Sequence, residues 1–130
     1  MAIRIVRLGS SRGRGEGLRI GTVRRPPRGV PKAEFASRNF YDVWLPNLAP
    51  SEELLKSGQG AHDERQWRSF ARSYRAEMSR PEASRVLDLL AALSHTADFS
   101  VGCYCENEQR CHRSLMRELL AQRGAVIRAS

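Results

Sequence analysis

The last third of the sequence constrains the fold most strongly, because a strand, a helix and a second strand are predicted there in direct succession. Residues 99–105 have the composition of a strand, residues 111–123 have helical periodicity ended by Gly124, and residues 125–128 predict a short edge strand. A strand–helix–strand crossover is the unit from which parallel sheets are built. The sequence therefore predicts a parallel sheet that includes these strands.

More strands and helices are predicted upstream of this crossover. Strands are expected at residues 3–8, 18–23 and 40–45, and a short helix capped by Ser51 reaches about residue 56. Because strands and helices mix along the chain, the predicted class is α/β, a single domain spanning residues 1–130 with helices packed over a mostly parallel sheet.

Two longer helices are predicted in the middle of the chain. Asp63 caps the first, and Pro81 begins the second, which runs to about Ser94. At helical spacing an aromatic stripe is more often core than a base-stacking surface, so both apolar faces are expected to face inward. These faces consist of Trp67, Phe70, Ala71, Tyr74 and Met78 in the first helix and of Val86, Leu87, Leu90 and Leu93 in the second.

Composition limits the setting in which the protein works. No apolar run approaches the length of a membrane span, and the first residues do not resemble a signal peptide, so a cytoplasmic protein without membrane contact is expected. Three cysteines, an odd number, fit a reducing compartment better than a disulfide scaffold.

The net charge of +8 comes from the first 38 residues, which carry ten basic and two acidic side chains. Such a block attracts phosphate on a nucleotide or on a nucleic acid, although an arginine-rich composition alone also explains it. Residues 9–17 form a loop of glycine and arginine that matches neither phosphate-binding glycine pattern. We expect a mobile connector there, with anion contact as the lesser alternative.

All three cysteines lie where the predicted strand leads into the last helix. Alternation along a strand places Cys103 and Cys105 on the same side. Cys111 falls at the helix N-terminus, where backbone N–H groups and the helix dipole stabilise a thiolate, as do the neighbouring Arg110 and Arg113. The helical period directs His112 toward the sheet and leaves Arg113 on the more exposed side.

Three interpretations of this junction remain open. Cys103, Cys105, Cys111 and His112 would give a metal site of three sulfurs and one nitrogen, although their spacing is an awkward match to structural zinc sites. Alternatively, a cysteine is a nucleophile, His112 carries the proton and arginines bind an anion. In the third, the cysteines are small core residues and His112 only satisfies a backbone carbonyl.

The segment from Cys103 to Leu115, with its Cys-His-Arg-Ser-Leu block, resembles the signature of the bacterial "domain of unknown function 488" family, DUF488. Residues 21–29 and 41–51 and the helix from Trp67 to Glu77 are similar to further parts of that family, so the resemblance covers about residues 18–124. It implies a Rossmann-like fold with the motif at the C-terminal edge of the sheet. It implies no established reaction or cofactor.

The resemblance also implies a site made of Arg24 or Arg25 together with Cys103, Cys111, His112 and Arg113. Cys105 departs from the longer members of the family, which tend to have an acidic residue there.

The leading hypothesis is an enzyme-like pocket for an anionic small molecule, such as a nucleotide or nucleobase derivative, that needs no cofactor. Cys111 or Cys103 would be the reactive thiol and His112 the proton carrier. The charge would be bound by arginines, whose guanidinium groups match phosphate and carboxylate geometry. These are Arg24, Arg25, Arg110 and Arg113.

The alternatives are a non-catalytic nucleic-acid-binding or accessory module that uses the basic first third, and the metal site. The sequence makes no prediction of oligomeric state.

Overall fold

The computed structural model describes residues 1–59, 63–105 and 111–128. In these residues all the paired strands run parallel in one five-stranded sheet, in the order β3-β2-β4-β1-β5. This confirms the predicted α/β, Rossmann-like class. The strands are β1 (Ile3–Arg7), β2 (Leu18–Gly21), β3 (Val43–Trp44), β4 (Phe99–Cys103) and β5 (Ile127–Arg128).

Four α-helices accompany the sheet in the described part of the chain, and the residues predicted to begin or end them are confirmed. The Asp63 side chain accepts a hydrogen bond from the Gln66 N–H, Pro81 occupies the first position of its helix, and Gly124 follows the last helix at φ +81°. The helices are α1 (Glu52–Gln59), α2 (Glu64–Met78), α3 (Pro81–Leu93) and α4 (His112–Gln122).

The strands are shorter than the sequence predicted. β4 ends at Cys103 because its partner β1 ends at Arg7, and the Leu8 N–H closes the ladder on the Cys103 carbonyl. β3 keeps only two residues of the predicted 40–45, since Phe40 is bound back to Phe35 in a turn. Cys105 therefore lies beyond the strand, in the connection to α4.

The main core lies where α2, α3 and α4 pack together over the sheet. The aromatic stripe of α2 belongs to it, as expected, with Phe70 and Tyr74 buried. Leu93 was predicted to face inward and is instead 38% exposed, because it is the last residue of α3 and the adjoining Ser94 is buried in its place. The strands contribute Ile3, Ile5, Ile20, Phe99 and Val101 to this core.

A buried ion pair anchors the loop of residues 9–17, for which the sequence predicts a mobile connector. Arg19 of β2 is completely buried and donates from Nε and Nη2 to the two carboxylate oxygens of Glu16, which lies in that loop. The Ser100 hydroxyl of β4 donates to the same carboxylate at 2.6 Å. Residues 9–17 are thus held to the sheet by charge and hydrogen bonds.

The order of the strands predicts where a ligand would bind at the edge of the sheet. β2 leads to β3 at one edge of the sheet, whereas its neighbour β4 leads through α4 to β5 at the other edge. In open parallel sheets, a crevice forms at the carboxyl ends of neighbouring strands whose connections diverge in this way. For this strand order the rule predicts a crevice between the ends of β2 and β4, beside Thr22 and Cys103.

Across the described residues, the helices are too short or too polar to cross a lipid bilayer.

Candidate thiol and imidazole site

Two buried thiols meet at the carboxyl end of β4. Cys103 is the last residue of that strand and Cys111 is the N-cap of α4, and their Sγ atoms lie 2.7 Å apart. Their exposed fractions are 1% and 2%. Cys105 is exposed, and the two buried thiols are near enough to act on its ionisation. We call Cys103, Cys105 and Cys111 the thiol trio.

The backbone of β2 fixes the orientation of His112. Its Nε2 lies 2.9 Å from the carbonyl oxygen of Thr22. A carbonyl only accepts, so Nε2 carries the hydrogen, and in the neutral ring Nδ1 has the lone pair. That Nδ1 lies 3.7 Å from the Cys111 Sγ. Complete burial lowers the pKa of His112 and favours this neutral form.

Arg113 is only 4% exposed, which corrects the expectation that it lies on the exposed side of α4. Its guanidinium turns back toward the connection from β4, where Nη2 donates to the Cys105 carbonyl at 2.5 Å. In the described part of the chain, its buried Nε has no hydrogen-bond partner. Within the described residues no carboxylate forms an ion pair with it.

Tyr41 was not predicted as a site residue. It packs in the same cluster as Cys103 and Cys111, and its buried hydroxyl has no hydrogen-bond partner in residues 1–59, 63–105 and 111–128. Its ring covers Gly21 so closely that a Cβ there would come within 2.3 Å of a ring carbon, which explains the glycine at the end of β2. The one signal in the sequence was its place in segment 41–51, which resembles DUF488.

The other arginines predicted for the site have different positions. Arg24 donates to the carbonyls of Pro50 and Ala49 at 3.1 and 3.2 Å. Arg25 forms an exposed ion pair with Glu52 at 2.7 Å. Arg110 lies outside the described residues. The fold therefore brings Cys103, Cys105, Cys111, His112 and Arg113 together, whereas the guanidiniums of Arg24 and Arg25 are engaged elsewhere.

Charge within the thiol trio collects on the exposed sulfur. Hydrogen bonds from the Cys103 and Cys111 thiols lower the pKa of Cys105, and nearby His112 and Arg113 act in the same direction. Burial raises the pKa of Cys103. For Cys111 the contact with Cys103 lowers the pKa, but the contact with Cys105 and burial outweigh it. The sequence predicts Cys111 as the acidified thiol from the helix N-terminus and the neighbouring Arg110 and Arg113, and it does not show the other thiols and the burial that raise its pKa.

The same atoms define the geometry open to a metal ion. The ligand atoms of Cys103, Cys111 and His112 all lie within 4.8 Å of one another. Two thiolates on one tetrahedral zinc are roughly 3.8 Å apart, since each Zn–S bond is about 2.3 Å. The 2.7 Å between Cys103 and Cys111 is shorter, so these two sulfurs would have to separate to share a cation.

Fold and site together define an α/β protein with a buried thiol and imidazole cluster at the C-terminal edge of a parallel sheet. A family model described as the Active DUF488-N3 subclade matches residues 3–124. The chain therefore belongs to the DUF488 family, which confirms the resemblance and extends it to β1. Neither the curated proteins nor the solved structures provide a match to the chain.

Proposed function

We propose that this protein is an enzyme that binds a small anionic substrate, such as a nucleotide or nucleobase derivative, at the thiol trio. One observation carries the proposal. Two buried side-chain atoms in the described residues lack a hydrogen-bond partner, Arg113 Nε and Tyr41 Oη, and both belong to residues around the trio. Buried polar groups are almost always paired in native proteins, so these two donors favour a missing acceptor.

The charge balance supports a thiolate in the resting site. A buried guanidinium without a carboxylate is costly, and an ionised sulfur nearby offsets that cost. The other two thiols act on the ionisation of Cys105, and Arg113 binds its carbonyl. One negative charge on the trio therefore gives Arg113 its counter-ion.

The roles follow from position. Cys105 exposes its sulfur and would meet a substrate first, while Cys103 and Cys111 stabilise its thiolate by hydrogen bonds. Cys111 or Cys103, which match the family motif, is the alternative nucleophile. The Nδ1 lone pair of His112 accepts a proton. The Arg113 Nε–H and the Tyr41 O–H donate to an anionic oxygen of the substrate.

The location also suits a substrate. The trio lies at the carboxyl end of β4 beside the end of β2, where parallel α/β sheets commonly bind ligands. The hydrogen bond from His112 to Thr22 links the start of α4 to the chain that follows β2.

The test is alkylation of the reduced protein by iodoacetamide at neutral pH, with each cysteine followed by mass spectrometry. One cysteine should react faster than an unfolded-peptide thiol, and one of the four nucleoside monophosphates or inorganic phosphate should slow it. His112→Ala and Arg113→Met should abolish the protection, whereas the exposed Arg38→Ala should retain it. Slow alkylation that no probe changes would overturn the proposal.

A metal centre is the second candidate, and the geometry of His112 favours it. Metal-binding histidines usually donate their other ring N–H to a carbonyl or carboxylate, as Nε2 does to Thr22. Cys103, Cys105, Cys111 and His112 would be the ligands. Stoichiometric zinc in the purified protein, lost in Cys111→Ser, would replace the enzyme proposal with this one.

The nucleic-acid-binding module has less support, because the basic first third uses much of its charge internally. Arg19 pairs with Glu16, Arg12 with Asp42, and Arg24 binds backbone carbonyls. Binding of single- or double-stranded DNA or RNA that weakens steeply with salt and survives both Cys111→Ser and His112→Ala would favour that module.

A further inference from the structure

We propose that Cys103 and Cys111 form a reversible disulfide and that Cys105 is the thiol through which oxidant reaches them. The two buried sulfurs already lie 2.7 Å apart, at the end of β4 and the start of α4. Cys105, which is exposed, follows Cys103 by two residues, and its carbonyl accepts a hydrogen bond from Arg113 near the start of α4. This modification does not depend on the proposed function, although its effect on catalysis does.

The exposure of the three thiols sets the order of the reactions. Oxidation of cysteine follows thiolate character and solvent access. Cys103 and Cys111 are almost completely buried, so an oxidant in solution meets Cys105 first. Cys105 lies two residues after Cys103, and its carbonyl binds Arg113, which lies two residues after Cys111. This proximity lets a disulfide bond pass from Cys105 to the buried pair by exchange.

The oxidant we name is a hydroperoxide. The Cys105 thiolate attacks its outer oxygen, the O–O bond breaks, and a sulfenic acid and an alkoxide or hydroxide form. The Cys111 thiol then attacks the sulfenic sulfur, and a Cys105–Cys111 disulfide forms as water leaves. The Cys103 thiol, after losing its proton, attacks the Cys111 sulfur and releases Cys105 as a thiolate. Two thiols have lost two electrons, and the hydroperoxide has gained them.

The product would join the end of β4 to the first residue of α4. His112 and Arg113 follow directly on Cys111, so the bond would hold the start of α4 against the sheet. It would also remove two of the three thiols from the trio. If the trio is the active site, as proposed above, oxidation inactivates it until a dithiol reductant restores it.

The experiment treats the reduced full-length protein with hydrogen peroxide and measures its intact mass. A loss of the mass of two hydrogens is expected, reversed by dithiothreitol. Trypsin cleaves after Arg110 and separates Cys111 from the other two cysteines, and chymotrypsin cleaves after Tyr104 and separates Cys103 from Cys105. After both digestions the disulfide should join the peptides that hold Cys103 and Cys111.

Two variants sharpen the result. Cys105→Ser should still form the Cys103–Cys111 bond but about tenfold or more slowly, because only the buried thiols remain. Cys111→Ser should form no Cys103–Cys111 bond. The same disulfide formed at an unchanged rate in Cys105→Ser would overturn the role of Cys105. Oxygen addition without a cross-link, or a bond that stays on Cys105, would overturn the disulfide.

This outcome is separate from the test of the proposed function. Alkylation and its protection by nucleotides are measured on the reduced protein, whereas the cross-link is measured after oxidation. A protein that fails the first test can pass the second.

Discussion

Two arginines are buried among the residues that the structure describes, and their surroundings differ completely. Arg19 donates to both carboxylate oxygens of Glu16 and to the carbonyls of Ser10, Ser11 and Asn39, so all three of its nitrogens are paired. Among the described residues, the Arg113 guanidinium makes one hydrogen bond, to the Cys105 carbonyl, and its Nε has no partner there. A fully paired buried cation belongs to the fold, whereas a partly paired one beside thiols and an imidazole is available to a ligand.

The largest expected effect is the loss of stability in Arg19→Ala. Removal of one partner leaves Glu16 buried without its counter-ion, which typically costs about 3–5 kcal/mol in the free energy of unfolding. Urea denaturation measures it. Arg75→Ala, which breaks the exposed pair with Glu118, is the control and should cost less than about 1 kcal/mol. Equal losses in the two variants would show that the Arg19 cluster is not a stabilising network.

The cluster of Arg19, Glu16 and Ser100 should make the free energy of unfolding depend on pH. Burial raises the pKa of Glu16, but hydrogen bonds from Arg19 and Ser100 outweigh this and lower it from 4.5 to about 2. Because the folded pKa is the lower one, the stabilisation is complete above pH 4.5 and is lost as the pH falls toward 2. The shift corresponds to about 3 kcal/mol.

Urea titrations between pH 7 and 2 provide the measurement. The difference in stability between the wild type and Glu16→Gln should shrink as the pH falls. A difference that stays constant with pH would contradict the lowered pKa.

Arg113→Met should affect the alkylation of the thiols and leave stability nearly unchanged, whereas Arg19→Ala should reduce stability. A partly paired buried charge replaced by an apolar side chain of similar length is often neutral or stabilising, so a change within about 1 kcal/mol is expected. Alkylation of the thiol trio should slow at the same time, since the thiolate loses its counter-ion. A severe loss of stability with unchanged alkylation would make Arg113 a structural residue like Arg19.

The smallest effect is expected for Tyr41→Phe. Its hydroxyl has no partner, so its removal should change the free energy of unfolding by less than about 1 kcal/mol. Tyr74→Phe is the matched control, because that buried hydroxyl donates to the Leu48 carbonyl at 2.7 Å and its loss should cost about 1–2 kcal/mol. Thermal or urea unfolding distinguishes the two. Equal losses would indicate a bound partner for Tyr41 in the purified protein.

Local pattern predicted the elements of this fold well. Asp63, Pro81 and Gly124 mark helix ends through short-range chemistry, and the strand–helix–strand unit requires a parallel sheet. The approach of His112 to the β4 cysteines also followed from the helical period. These features depend on residues close together in the sequence.

The rest depends on contacts between distant segments. Arg19 is buried because it pairs with Glu16. The Glu16 carboxylate is held in turn by Ser100, which lies 84 residues away in the sequence. Arg113 was expected near solvent, since helical periodicity does not show that a carbonyl beyond β4 draws the guanidinium inward. No helical or strand periodicity in the sequence singles out Tyr41, and only the fold shows that its ring covers Gly21.

The carbonyl of Thr22 determines which nitrogen of His112 holds the proton, and that carbonyl belongs to the main chain. No substitution at position 22 deletes it, and the Thr22 amide and hydroxyl are themselves bound to the Gly102 carbonyl of the next strand. The pairing of β2 with β4 thus determines the tautomer of His112. A substitution among the side chains around this imidazole therefore leaves the Nδ1 lone pair on the side of the Cys111 sulfur.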